Sequence, residues 1–257
     1  MSTSNVKGIF VALIGAVSIL SFPLFANAGA CVVDTDCSAG EICRSSACSP
    51  RDEINVSLII PGEETGGTGG TGGSVPPVVI FTGKAYPFAL ITILRNEAVT
   101  ATLEAEADGT FRKKFDSVPQ GITTFGLWAE DTEGRVSPTL SYTFNLVGNS
   151  LTTISNIFLP PTIELQPPSK VHRGENMRIL GHIFPSSKVS VFINSVLKTV
   201  VNARANGEWM YTLNTFDLSL GEYEVNAKAQ SPDGAVSIFS GTKKFSVVSP
   251  GVPIETK

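Results

Sequence analysis

One long internal repeat constrains this chain more than any other feature. "GKAYPFALITILRN", beginning at Gly83, returns as "GHIFPSSKVSVFIN" from Gly181. "AEADGTFRKKF" (Ala105 to Phe115) returns as "ARANGEWMYTL" (Ala203 to Leu213), and "GITTFGLWAEDTEGRVS" returns as "GEYEVNAKAQSPDGAVS". Gly83/Gly181, Pro87/Pro185, Gly109/Gly207 and Phe111/Trp209 are each 98 positions apart. Gly134/Gly234 and Ser137/Ser237 are 100 apart, so one short insertion separates the copies. A repeat of this length with strand-like texture means two copies of one small β domain, not a solenoid of short units.

The texture is alternation. In the second copy Val189, Val191 and Ile193 alternate with Lys188, Ser190 and Asn194, and Trp209, Tyr211 and Leu213 alternate after Asn206-Gly207. The first copy has Ile91 and Ile93, then Phe111 and Phe115 after Asp108-Gly109. Asn-Gly and Asp-Gly supply the positive φ of a two-residue hairpin turn. Further alternating runs cover Thr123 to Ala129 and Tyr223 to Ala229, and the last strands pass through Phe144 and Phe245. Short strands with turns every eight to twelve residues, roughly six or seven per copy, call for a two-sheet antiparallel sandwich. Sparse charge (16%) and the absence of amphipathic helical runs agree with an all-β chain. A net charge of −4 without a basic cluster argues against a nucleic-acid partner.

The shared pattern is G-x-x-x-P-x-x-x-V-x-V, A-[DN]-G-x-[FW], G-x-Y-x-V-x-A-x-A and D-x-x-G-x-x-S. It resembles the bacterial immunoglobulin-like (Ig-like) modules of exported surface proteins over Val75 to Val147 and Leu159 to Val248. The resemblance implies two tandem Ig-like antiparallel sandwiches acting as non-enzymatic spacers or adhesive stalk units. Arg95, where the second copy has Ile193, and Lys113, where it has Tyr211, predict a thinner core in the first copy.

Residues 1–28 have the layout of a secretory signal: Lys7, the apolar run Ile9 to Leu20, Pro23, then Ala26-Asn27-Ala28. The run is shorter than the roughly 20 residues of a spanning helix, so a mature chain without a membrane span is expected, outside the cell or on its surface. Retention of the leader as an anchor, and lipidation at Cys31, stay open. All four cysteines, Cys31, Cys37, Cys43 and Cys48, fall in residues 29–50. In an exported chain this even, tight set reads as two disulfides, with all three connectivities open. The segment also resembles small bacterial four-cysteine repeats of secreted and surface proteins.

Residues 51–74 hold a lone strand pattern at Ile54 to Ile60 and a glycine-rich tether. The strand has two homes open to it, the cysteine module or the first β domain. The domains expected are 75–147 and 159–248, with a semi-rigid apolar junction at 148–158 and a tail at 249–257.

Chemistry is scarce. His172 and His182 are the two histidines, and His182 stands where the first copy has Lys84, so a solvent-facing position is expected. Glu130, Asp131 and Glu133 cluster at a turn in a pattern that suits Ca²⁺. The second copy has Gln230, Ser231 and Asp233 there, so the acids read as a solvated turn. No catalytic residue, metal site or cofactor is expected. Trp128, whose counterpart is Lys228, and the out-of-phase Leu90 and Leu94 are the candidate contact residues. They suit a cell-envelope protein or a glycan, or cover by the tether or the strand at Ile54.

Overall fold

The computed structural model describes the backbone of residues 41–44, 47–50, 56–59 and 75–251, with side chains from 75 to 251. The leader, Cys31, Cys37, the glycine tether and the tail beyond 251 lie outside the described residues, and so does the two-disulfide reading. The chain divides into two units, Met1–Arg51 and Asp52–Lys257. In the first, β1 (Glu41–Arg44) pairs antiparallel with β2 (Ala47–Pro50), and Cys43 and Cys48 are register partners.

The second unit is two β sandwiches, and among the described residues there is no helix. The first sandwich uses β3 (Val56–Ile59), β4 (Val78–Lys84), β5 (Leu90–Arg95), β6 (Ala98–Glu104), β7 (Thr110–Phe115), β8 (Gly121–Glu130), β9 (Leu140–Leu146) and β10 (Leu151–Phe158). Its sheets run β3-β10-β4-β7 and β6-β5-β8-β9. The second uses β11 (Glu164–Gln166), β12 (Lys170–His172), β13 (Asn176–His182), β14 (Lys188–Ile193), β15 (Val196–Asn202), β16 (Glu208–Asn214), β17 (Gly221–Gln230) and β18 (Lys243–Val248). Its sheets run β11-β13-β16 and β12-β18-β17-β14-β15.

Alternation closes each core. Val79 and Phe81 of β4 meet Ile91 and Ile93 of β5 and Phe125 and Leu127 of β8, all fully buried. Phe81 lies edge-on to Phe125 at 4.9 Å between ring centres. In the second sandwich Met177, Ile179, Val189, Val191 and Val225 do the same around Trp209. Each such side chain contributes roughly 1.5–3 kcal/mol by leaving water.

Three expectations change. The Asp108-Gly109 and Asn206-Gly207 turns are not hairpins, because β6 and β7, like β15 and β16, belong to opposite sheets. They hand the chain across the sandwich. The two-residue hairpins are Asn96-Glu97 and Asn194-Ser195, all four at positive φ.

Residues 148–158 are not a junction. They contain β10, which lies parallel to β4 on one side and antiparallel to β3 on the other. Ile154 and Ile157 sink into the first core, so that core is not thin despite Arg95 and Lys113. The apolar residues that looked like junction packing are a strand's inward face.

The crossing itself is only about a turn long. Phe158 packs in the second core and Leu159 in the first. Because β10 carries the chain back along the first sandwich, the chain leaves at the end bearing the 85–89, 105–109 and 131–139 turns. Thr162 N then donates to His182 O at 3.0 Å, which places entry at the equivalent end of the second sandwich. The two repeats therefore meet through the same end.

Candidate functional site

The meeting of like ends makes the interface reciprocal. Lys84, at the end of β4, ion-pairs with Asp233 of the second sandwich. Its repeat-mate His182, at the end of β13, has Nδ1 3.2 Å from Glu133 of the first, and Glu133 is the repeat-mate of Asp233. Lys84 Nζ stands 5.4 Å from the centre of the Phe184 ring, and His182 stands 6.3 Å from Tyr86, the mate of Phe184. Gly109 (φ +81°) packs beneath Phe184 and Pro185, and Gly207 (φ +86°) packs beneath Pro87. A Cβ at Gly207 would stand 2.9 Å from Pro87 Cδ and 2.5 Å from Ile183 O. Contacts in which residue i meets j while the mate of j meets the mate of i are those of a two-fold isologous pair, here within one chain.

The first sandwich adds chemistry that its copy lacks. The turn after β8 is closed by Asp131 N donating to Arg135 O (2.9 Å), as Ser231 N does to Ala235 O (2.8 Å). Asp131 then goes further. Its Oδ1 accepts from the backbone N–H groups of Glu133 (3.1 Å) and Arg135 (2.9 Å). Its Oδ2 accepts from Arg135 Nε and from Thr162 Oγ1, both at 2.7 Å. Thr162 Oγ1 in turn accepts from His182 N at 2.8 Å. Arg135 reaches on to Glu133, to Glu164 at 3.4 Å and to His182 Nδ1 at 2.7 Å. The Asp131 side chain is 1% exposed and that of Arg135 11%.

Burial works to raise the Asp131 carboxyl, but the hydrogen bonds it accepts from Thr162 and Arg135 outweigh that and hold it well below the carboxylate range. The solvated turn expected for Asp131 and the solvent-facing position expected for His182 are both wrong. Each is buried because the other sandwich covers it.

Asp131, Glu133 and His182 bring ligand atoms within 4.8 Å of one another, an arrangement a divalent cation accepts. The cationic Arg135 guanidinium already stands among them. An arginine only donates, so His182 Nδ1 accepts from it, and the lone pair a metal or a general base would need is taken. The cluster is an ion-paired staple. Arg135 and Thr162 were missed in sequence. The available signal was asymmetry between copies, with Asp131 and Arg135 standing where Ser231 and Ala235 stand in an otherwise matched turn.

Trp128, Leu90 and Leu94 come together elsewhere, on the outer face of β6-β5-β8-β9. Trp128 is the register partner of Thr92, and Leu90 and Leu94 lie two residues to either side. Trp128 and Leu94 are half-buried and Leu90 is exposed, while Thr92 between them is buried. On the second sandwich the same face holds Lys228 over Phe239 (5.6 Å) and Phe192 edge-on to Phe239 at 5.2 Å.

No family model matches the chain, and no curated protein matches it. Some solved structures are similar to parts of it. They include the fibronectin(III)-like modules of Clostridium thermocellum CbhA, at 14% identity and TM-score 0.28 over 78% of this chain and 98% of that one. The BSP domain of a biofilm associated protein is similar at 21% identity and TM-score 0.27 over 64% of this chain and 25% of that one. The D0-D1 domain of intimin is similar at 11% identity and TM-score 0.27 over 64% of this chain and 84% of that one. Likeness at this level carries no function across to this chain.

Proposed function

We propose that this is an exported, non-enzymatic cell-surface protein in which two Ig-like sandwiches form one stiff unit of a stalk or adhesin. The observation that carries the reading is the staple of Asp131, Arg135, Thr162 and His182, which spends buried charge on holding two domains together. A buried ion pair is weak evidence for stability, and here its role is to fix how the two domains meet. A protein whose task is to hold a position outside the cell needs that geometry. The leader-like layout of residues 1–28 and the four-cysteine pattern support this placement. Protease shaving of intact producing cells, followed by immunoblotting, tests it. Loss of the full-length band with cytosolic markers intact supports surface display, and protection until lysis contradicts it.

A second reading, a carbohydrate-binding accessory role, draws on the grouping of Trp128, Leu90 and Leu94 around Thr92 on one sheet face. An indole on a flat β face suits the apolar side of a sugar ring. Glycan-array binding that disappears in Trp128→Ala supports it, and binding that survives the substitution contradicts it.

A further inference from the structure

The two sandwiches treat one strand edge differently. In the second, β18 is covered by β12, which lies parallel to it with Val171 opposite Val247. Phe245 and Val247 of β18 are buried beside that cover. In the first sandwich the matching strand is β9. It is the last strand of its sheet, and among the described residues nothing pairs with its outer side. Asn149 N–H donates to Val75 O at 2.8 Å beyond the strand's end, and the described residues of this segment begin at Val75. Phe144, the mate of Phe245, is half-exposed.

Natural sheets blunt such an edge with charge, proline, a bulge or brevity. The other edges of this sandwich follow that rule. β7 carries Arg112, Lys113 and Lys114, β6 has a register shift and Glu104, and β3 is four residues long. In the second sandwich β18 has both its cover strand and Lys243 and Lys244. Among the described residues, β9 has none of these. It is seven residues, Leu-Ser-Tyr-Thr-Phe-Asn-Leu, in unbroken register with β8.

That sequence is also close to a chemical palindrome about Thr143. We propose that β9 pairs antiparallel with β9 of a second copy of this chain, across a two-fold axis at Thr143, joining two four-stranded sheets into one of eight. Leu140 then lies opposite Leu146 of the second copy, Ser141 opposite Asn145, Tyr142 opposite Phe144, and Thr143 opposite itself. The apolar pairs continue the inner faces of the two cores, against which Leu140, Tyr142 and Phe144 already pack. The polar pairs continue the outer faces, where Ser141, Thr143 and Asn145 are exposed and Thr143 already meets Thr124 at 2.8 Å. Aromatic pairs and Thr–Thr pairs are the favoured cross-strand neighbours. A two-fold contact sets each residue against its own kind or its mirror position, so it tolerates no charge near the axis, and β9 has none. Closed two-fold symmetry limits the assembly to a dimer.

Sedimentation equilibrium of the full oxidised chain, at concentrations up to about 1 mM, tests the proposal. The wild type dimerises. Thr143→Lys places two ammonium groups on the axis and weakens the dimer by more than about fivefold, while circular dichroism of the monomer is unchanged because Thr143 is exposed. Register is read from two double variants. Ser141→Lys with Asn145→Glu keeps the dimer, and Ser141→Lys with Asn145→Lys loses it, which also decides the matter should Thr143→Lys fail to fold. A wild type that stays monomeric, a dimer indifferent to Thr143→Lys, or two double variants that behave alike would each overturn it.

Discussion

Lys84 and His182 hold the same place in the two sandwiches, and each ends its strand against an acid of the opposite sandwich, Asp233 for Lys84 and Glu133 for His182. From that exchange comes the character of the junction. A stalk of Ig-like domains in head-to-tail order would join unlike ends. Here β10 returns the chain along the first sandwich, and like ends join.

The salt bridge between Asp131 and Arg135 is buried, so removing one partner strands the other. Arg135→Met leaves the Asp131 carboxylate without its main cation and costs about 3 kcal/mol. Asp131→Asn costs a similar amount. The double variant costs clearly less than the two added together, because neither charge is then left alone. Urea unfolding of the four proteins measures the cycle, and strict additivity would show that the pair does not couple.

The pH profile has two limbs. The folded-state pKa of Asp131 is depressed, so its contribution is fully present above the ordinary aspartate value of about 4. That contribution is lost as pH falls below that value and through the lower folded one. Tyr142 moves the other way, since burial pushes its phenol up to about 12. Its contribution is present below the ordinary tyrosine value of about 10 and fades as pH rises toward 12. Melting temperature therefore falls on the acid side as Asp131 protonates, and Asp131→Asn removes part of that slope. An acid limb identical in that variant would contradict the assignment.

Two glycines let backbone approach closely, Gly83 against β10 within the first sandwich and Gly181 against the entry to the second. A Cβ at Gly83 would lie 2.4 Å from Ile157 O, and one at Gly181 would lie 2.0 Å from Thr162 O. Both blocking atoms are backbone, and neither can move without displacing β10 or the strand entry at Thr162. Gly181→Ala therefore costs about 3 kcal/mol. Hydrogen exchange should show the loss concentrated at Thr162 and His182, and protection unchanged there would contradict the close approach.

Phe158 is the one β10 side chain that joins the second core. Phe158→Ala leaves a cavity in that core and costs about 3–4 kcal/mol. Calorimetry is expected to show the second sandwich melting earlier, with Ile154 and Ile157 still holding β10 on the first.

The sandwiches were legible in sequence because alternation and turn residues are local signals, and the repeat states them twice. Val189, Val191 and Ile193 name a buried face without help from any distant residue. β10 was not legible. Its parallel pairing with β4 joins residues about seventy positions apart, and its apolar residues have the same composition as a packed linker. His182 was misread for a related reason. Its mate Lys84 suggested water, but Lys84 itself sits at the interface, with its charge met across the junction. A repeat shows which positions are equivalent. It does not show whether that shared environment is solvent or the other copy.

Residual dipolar couplings of the backbone N–H groups from 75 to 251 address the reciprocal junction most directly. With the staple of Asp131 and Arg135 closed, couplings from both sandwiches fit one alignment tensor, and Arg135→Met separates them into two. Two independent tensors in the wild-type chain would mean that the sandwiches move freely and that the contacts between their like ends do not hold them.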